Sequence, residues 1–252
     1  NGMDLAVVES DLGECNVTMS NALARASHAL SLIEKRILAA SIARVDSRKG
    51  NKIHAHLAEF SKIRISALDY AETYGVDPKN AYEHLKSAAD HLFERQFSIK
   101  SGSGRYERIT RYRWVSSATY AKNEGFIEVS FTPEVYPHLN ALRSQYTTYK
   151  LKNAASFRSA YSWRLFEIAR SWLEHCASGQ VVTITVENLR HQLEWPESYK
   201  WNDARKRAID PAVAEIAQFE HLDITYKVVK RGRSIHALEF VFKEQSQLEM
   251  KI

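Results

Sequence analysis

Between Ser66 and Phe131 the spacing of apolar residues passes from helical to alternating across a punctuated turn, and few folds accommodate that order. Ser66 has the side chain of a helix cap, and residues 67–74 keep helical spacing up to Gly75, which is free to take the left-handed conformation at a helix end. Asp77 and Pro78 then reopen a helix, since aspartate accepts from the first free N–H groups and proline surrenders one that has no partner there. Tyr82, Leu85, Ala89, Leu92 and Phe93 form its buried face. After Phe97 the period is two: residues 97–100, 109–117 and 126–131 read as strands, separated by turn-rich segments at 101–104 and 123–125. Upstream, residues 21–45 carry one apolar face through Leu23, Leu30, Ile33, Ile37, Leu38 and Ile42, a long helix or two joined near Ser27. Short alternating stretches follow at 54–60 and 62–65. Helix, glycine turn, helix and hairpin is the element order of a winged helix.

The second half repeats this order with different residues. Residues 156–175 read as an amphipathic helix through Tyr161, Trp163, Leu165, Phe166, Ile168 and Leu173, and Gly179 closes the segment after it. Residues 181–186 form a β-branched strand, 187–193 a short helix, Pro196 a turn and 202–219 a further segment. Strands at 222–229 and 234–243 flank a basic tip, Lys230 to Arg233. The expected fold is α+β, two tandem winged-helix domains: an acidic N-terminal tail at 1–20, an N-terminal winged-helix domain at 21–145 and a C-terminal one at 146–245.

Charge narrows the partner. The chain carries +5, but residues 1–20 hold four acids and no base, so the other 232 residues carry +9. Lys100, Arg105, Arg108, Arg111, Arg113 and Lys122 face only Glu107 within 100–122, and residues 141–170 repeat that balance. Two such clusters point to a polyanion, usually nucleic acid. A hydrophobic fraction of 44% with 26% charged residues excludes disordered and fibrous classes. No apolar run approaches the roughly 18 residues of a spanning helix and no signal-peptide pattern opens the chain, so a cytoplasmic protein without membrane contact is expected. Cys15 and Cys176 belong to no CxxC pair and predict two reduced thiols, with no disulfide framework and no zinc site. No glycine-rich loop could cradle a nucleotide's phosphates; no cofactor or metal is expected.

Three segments carry a family resemblance. N-A-L-A-R-A-S-H-A-L-S-L-I-E-K-R-I-L at 21–38, Y-K-L-K at 149–152 with S-A-Y-S-W-R-L-F-E at 159–167, and I-D-P-A-V-A-E-I at 209–216 followed by K-R-G-R resemble the replication initiator proteins of iteron-containing bacterial plasmids. The resemblance runs from about Asn21 to Lys243. It implies two winged-helix domains gripping one directly repeated site in double-stranded origin DNA. It further implies a monomer on the repeats, often a dimer on an inverted repeat that represses its own gene, and contact with the host initiator and replicative helicase.

Within that frame the candidate DNA contacts follow from side-chain chemistry. Lys200 and Asn202 lie at a helix start, with Arg205, Lys206 and Arg207 in its first two turns. A helix entering the major groove aims such residues at base edges; arginine forks guanine O6 and N7 and asparagine pairs with adenine. Consecutive residues point about 100° apart, so some of these cations must face phosphate instead. Asp203 is a candidate cap, and Pro211 is expected to be tolerated in the segment. The matching helix of the first domain offers Lys79, Asn80 and His84 beside Glu83, a weaker basic surface. Lys230, Arg231 and Arg233 suit backbone or minor-groove contact, while Arg111 and Arg113 could touch phosphate or a partner subunit. Two other functions compete. One is a plasmid or phage transcriptional regulator without an initiator role. The other is a rolling-circle nickase in which His54 and His56 hold a metal and Tyr70 or Tyr74 attacks the phosphodiester.

Overall fold

The computed structural model describes residues 11–48, 62–102, 104–121, 124–139, 145–174, 176–220 and 222–244. In the first half, β1 (Asn16–Ser20) and α1 (Asn21–Ala24) precede α2 (Leu32–Arg48), β2 (Ile63–Ser66), α3 (Ala67–Tyr74) and α4 (Pro78–Glu94). Then come β3 (Gln96–Ser101), β4 (Arg108–Arg113), β5 (Val115–Ala121), β6 (Phe126–Phe131) and α5 (Tyr136–Leu139). The second half runs through β7 (Tyr146–Lys150), α6 (Leu151–Ala155), α7 (Ala160–Leu173), β8 (Val181–Thr185) and α8 (Val186–Leu193). It ends with α9 (Trp201–Ala204), a π turn (Arg205–Ile209), α10 (Asp210–Phe219), β9 (Leu222–Arg231) and β10 (Ser234–Glu244).

Each half contains an antiparallel three-stranded sheet with the same order, first strand, third, second: β2–β6–β5 and β8–β10–β9. The capping chemistry read from the sequence is present. Ser66 Oγ accepts from Asp69 N, Gly75 sits at φ 60°, and the Asp77 carboxylate accepts from Lys79 N with Pro78 opening α4. The fold is thus two winged helices in tandem.

Three local expectations need correction. Residues 109–117 are two strands, not one: β4 pairs with β3 as an inserted hairpin, whereas β5 joins β6. The chain turns at Trp114, whose buried indole packs 4.4 Å from the Phe97 ring and 4.9 Å from His28. Of the two readings of residues 21–45, the pair of helices is found: α1 and α2 part around Ser27, where Ala29 takes φ 49° and Ser31 and Glu34 reciprocally cap α2. The 156–175 helix starts at Ala160, capped by Ser159. The expected tail through Ser20 is structured from Asp11 onward: β1 pairs with β7 along Asn16↔Lys150 to Ser20↔Tyr146. There Lys150 and Lys152 reach Glu14 at 2.8 and 2.6 Å and hold its carboxyl down to about 2.

Buried charge builds the junction of α2, β7 and α7. Glu167 on α7 is fully buried and accepts from Lys35 Nζ of α2 at 2.8 Å, Arg164 at 2.9 Å and the Tyr149 hydroxyl of β7 at 2.7 Å. Trp163 Nε1 donates to that hydroxyl, and Arg164 also donates to the carbonyls of Ala26 and Gln192. Glu194, after α8, accepts from the Ser27 hydroxyl and from the backbone N–H groups of His28 and Ala29. Buried charges need such complete satisfaction, because desolvating each ion costs several kcal/mol. Burial keeps the Lys35 ammonium below its ordinary lysine range, with Glu167 opposing that shift.

Glu167→Ala should therefore leave Lys35 and Arg164 buried without their counter-ion and cost about 3–5 kcal/mol in urea unfolding; a loss below about 1 kcal/mol would mean the junction relaxes. A second expectation concerns acid. Burial, reinforced by Arg164 and Lys35, holds His28 well below the ordinary 6.5, so its contribution to stability is complete above that pH. That contribution is lost as the pH falls, because the unfolded chain takes up the proton first. His138 and His191 are held low by burial in the same sense. Denaturant unfolding at pH 7 and about pH 5 should show lower stability at the acid value, with a smaller difference in His28→Asn.

Candidate nucleic-acid interface

The third helix of the second domain, residues 201–219, is placed by its small apolar face. Ala204, Ala208, Ile209, Ala212 and Ile216 are buried, and the α10 part packs on α7 and β9. Alanines let the helix lie close, and the opposite side carries Asn202, Lys206 and Arg207 into solvent. Lys200 occupies the cap position and is exposed. Helical character continues past Ala204 as a π turn, with Asp210 N–H bonded to Arg205 O, five residues back. Pro211 explains the turn. Its ring would clash with the carbonyl four residues earlier in an α-helix and it supplies no N–H, so a widened turn just ahead of it keeps the rod continuous.

Within that turn the two arginines differ. Arg205 Nε lies 3.6 Å from Asp210, whose other oxygen accepts the Tyr226 hydroxyl from β9. Burial, followed by that hydrogen bond, raises the Tyr226 phenol far above its ordinary value, so it stays a donor. Arg207 is more open: it stands 5.3 Å over the Tyr199 ring and 4.0 Å from Asp203, and Tyr199, then Asp203, push its guanidinium above the ordinary arginine value. Asp203 thus pairs with Arg207 one turn on, in place of the capping role its position suggested. The wing is a two-residue turn closed by Arg231↔Ser234, with Gly232 at φ 63° as a type II′ turn needs at its first position. Lys230, Arg231 and Arg233 are all exposed at the tip.

The first domain presents less. Lys79 and Asn80 are exposed at the start of α4 beside Glu83, and His84 is half-buried. Lys86 lies 5.1 Å over the Tyr120 ring. Arg111 is exposed on the inserted hairpin, but Arg113 donates to the Phe93 carbonyl at 3.1 Å and pairs with Glu94, closing the end of α4. Part of the 141–170 cluster is paired within the protein: Arg164 is buried, Lys150 and Lys152 share Glu14 at the surface, and Arg170 pairs with Glu244. Tyr199, Asp210, Tyr226 and the exposed Lys227 were not singled out in the sequence; their roles depend on strand β9 lying beside the helix, and periodicity does not report which elements are neighbours.

The nickase residues divide. His54 and His56 lie outside the described residues. Tyr70 and Tyr74 are buried with ring centroids 4.9 Å apart, Tyr74 donates to the Arg36 carbonyl at 2.7 Å, and burial raises both phenols. A nucleophilic tyrosine needs access to a phosphodiester and a phenolate; neither ring has them here. Among the described residues there is no group of three or more His, Cys, Asp or Glu able to hold a metal ion, and no helix long and apolar enough to cross a membrane.

The geometry defines a protein of two tandem winged-helix domains, the second with an exposed cationic helix start and a basic wing. The chain belongs to the initiator replication protein family: the model of its WH1 domain matches residues 16–170 and that of its WH2 domain residues 185–242. It is similar to an uncharacterized 27.6 kDa protein of Escherichia coli, 25% identical over 233 residues that cover 88% of this chain and 93% of that one. It is also similar to the PI protein of Escherichia coli, 22% identical over 245 residues, 84% of this chain and 77% of the relative. Among solved structures, Pi initiator protein in complex with iteron DNA shares the fold with a TM-score of 0.67 at 19% identity, over 93% of this chain and 99% of that chain.

Proposed function

We propose that the protein is a non-enzymatic replication initiator that binds directly repeated duplex sites at a plasmid origin, with residues 21–145 and 146–245 as its two reading domains. The observation that carries this is the second domain's third helix, which turns Asn202, Lys206 and Arg207 to solvent beside a wing tipped by Lys230, Arg231 and Arg233. Membership of the initiator family and the iteron complex of a protein of the same fold support it. Lys200 and Arg205 flank the reading stripe, and Lys79, Asn80, His84 and Arg111 supply fewer contacts from the first domain. Arg113 acts through α4, whose end it holds. Copies bound side by side would strain adjacent A+T-rich DNA and present a surface to the host initiator and helicase, and a dimer would repress the gene. These last steps rest on the family resemblance.

Salt and substitution test the reading. With both domains on one duplex and about six to ten phosphates neutralised, log K should fall against log salt with a slope of roughly −5 to −9. A slope near −2 would leave only one domain engaged. Arg207→Ala should cost about 1–3 kcal/mol on the specific site and much less on random duplex. Arg231→Ala and Arg233→Ala should weaken both DNAs by similar factors and flatten the slope by about one unit each. Competition binding decides: equal losses on both DNAs for every variant would remove this helix from sequence readout.

A further inference from the structure

We infer that Asp210 is a positioning residue for sequence readout, clamping Arg205 to the wing strand so that Lys206 and Arg207 are the helix cations that reach base edges. The inference rests on the DNA-reading function proposed above. Residues five apart on an α-helix point about 140° away from each other and cannot pair. Arg205 and Asp210 do pair, at 3.6 Å, because the π turn stacks them, and the Asp210 N–H bonds the Arg205 carbonyl in the same turn. The carboxylate is shared with a second element, since the Tyr226 hydroxyl donates to it from β9, with the Tyr226 ring backed by Phe240 at 5.6 Å. One aspartate thus ties a helix arginine, the helix backbone and the strand leading into the wing.

The neighbouring cations are held differently. Lys206 makes no ion pair among the described residues, and Arg207 is held on its own side, over the Tyr199 ring at 5.3 Å and 4.0 Å from Asp203, with no contact to the wing strand among these. A free Arg205 would add another long cation able to fork guanine and would loosen the angle between helix and wing. Binding would then gain charge and lose discrimination.

Two variants separate these effects. Selection from a randomised duplex pool measures discrimination, and salt titration on one random-sequence duplex counts phosphate contacts. Asp210→Asn should tighten random-duplex binding, steepen its salt slope by about one unit and broaden the selected sequence. Tyr226→Phe changes no charge; its salt slope should stay at the wild-type value while preference for the selected sequence falls about tenfold. A Tyr226→Phe protein that melts at a lower temperature yet selects the wild-type sequence with wild-type preference would overturn the clamp. So would Asp210→Asn and Tyr226→Phe proteins that weaken all duplexes equally. Wild-type protein that selects no sequence would overturn the DNA-reading function and the clamp with it, whereas wild-type selection shared by both variants removes only the clamp.

Discussion

A carboxylate with no solvent around it has to be answered by donors, and those of Glu167 come from both halves of the chain: Lys35 from α2, Tyr149 from β7 and Arg164 from its own helix. Replacing such a network by apolar side chains often stabilises a protein, so its value lies in geometry. Hydrophobic packing between two helices tolerates some sliding, whereas a carboxylate sharing its oxygens among three donors does not. The seating of α7 against α2 and β7 is therefore held by one buried charge, and the Glu194 contacts to Ser27, His28 and Ala29 tie the segment after α8 to the segment before α2.

This arrangement changes what the basic residues mean. Counted along the chain, residues 100–122 and 141–170 are equally cationic. In the fold part of the second cluster is engaged: Arg164 is buried against Glu167, while the half-exposed Lys150 and Lys152 share the single carboxylate of Glu14. Cations whose charge is spent inside the protein add little to the field felt by a polyanion. Exposed cations stand on the third helix and wing of the second domain and on the inserted hairpin of the first.

The third helix shows a local conflict resolved by tertiary packing. Proline at 211 would end or kink an ordinary helix, but the buried face on both sides of it, Ala204 and Ala208 before and Ala212 and Ile216 after, favours one continuous rod against α7. The π turn reconciles these demands, and in doing so it sets which side chains face the same way. The cationic run is thereby sorted into an arginine paired with Asp210, an arginine set against Tyr199 and Asp203, and a lysine left to solvent.

The amino-acid sequence by itself determined the local elements and their order. Caps at Ser66 and Asp77, the left-handed Gly75, the basic tip around Gly232 and the change of period after Phe97 act over a few residues, so they read directly from neighbours in the chain. Its family-marking segments were legible as marks but not as parts: His28, Lys35, Tyr149, Trp163, Arg164 and Glu167 fall within them, and only the fold shows that they meet in one buried polar network. Pairings between distant segments were beyond reach, because alternation tells a strand its faces and not its partner. The β1–β7 ladder, the break at Trp114 and the Arg205–Asp210–Tyr226 contact all depend on which surfaces meet. Tertiary structure decided those, since burial rewards one mutual arrangement of the elements and the spacing within each element is compatible with several.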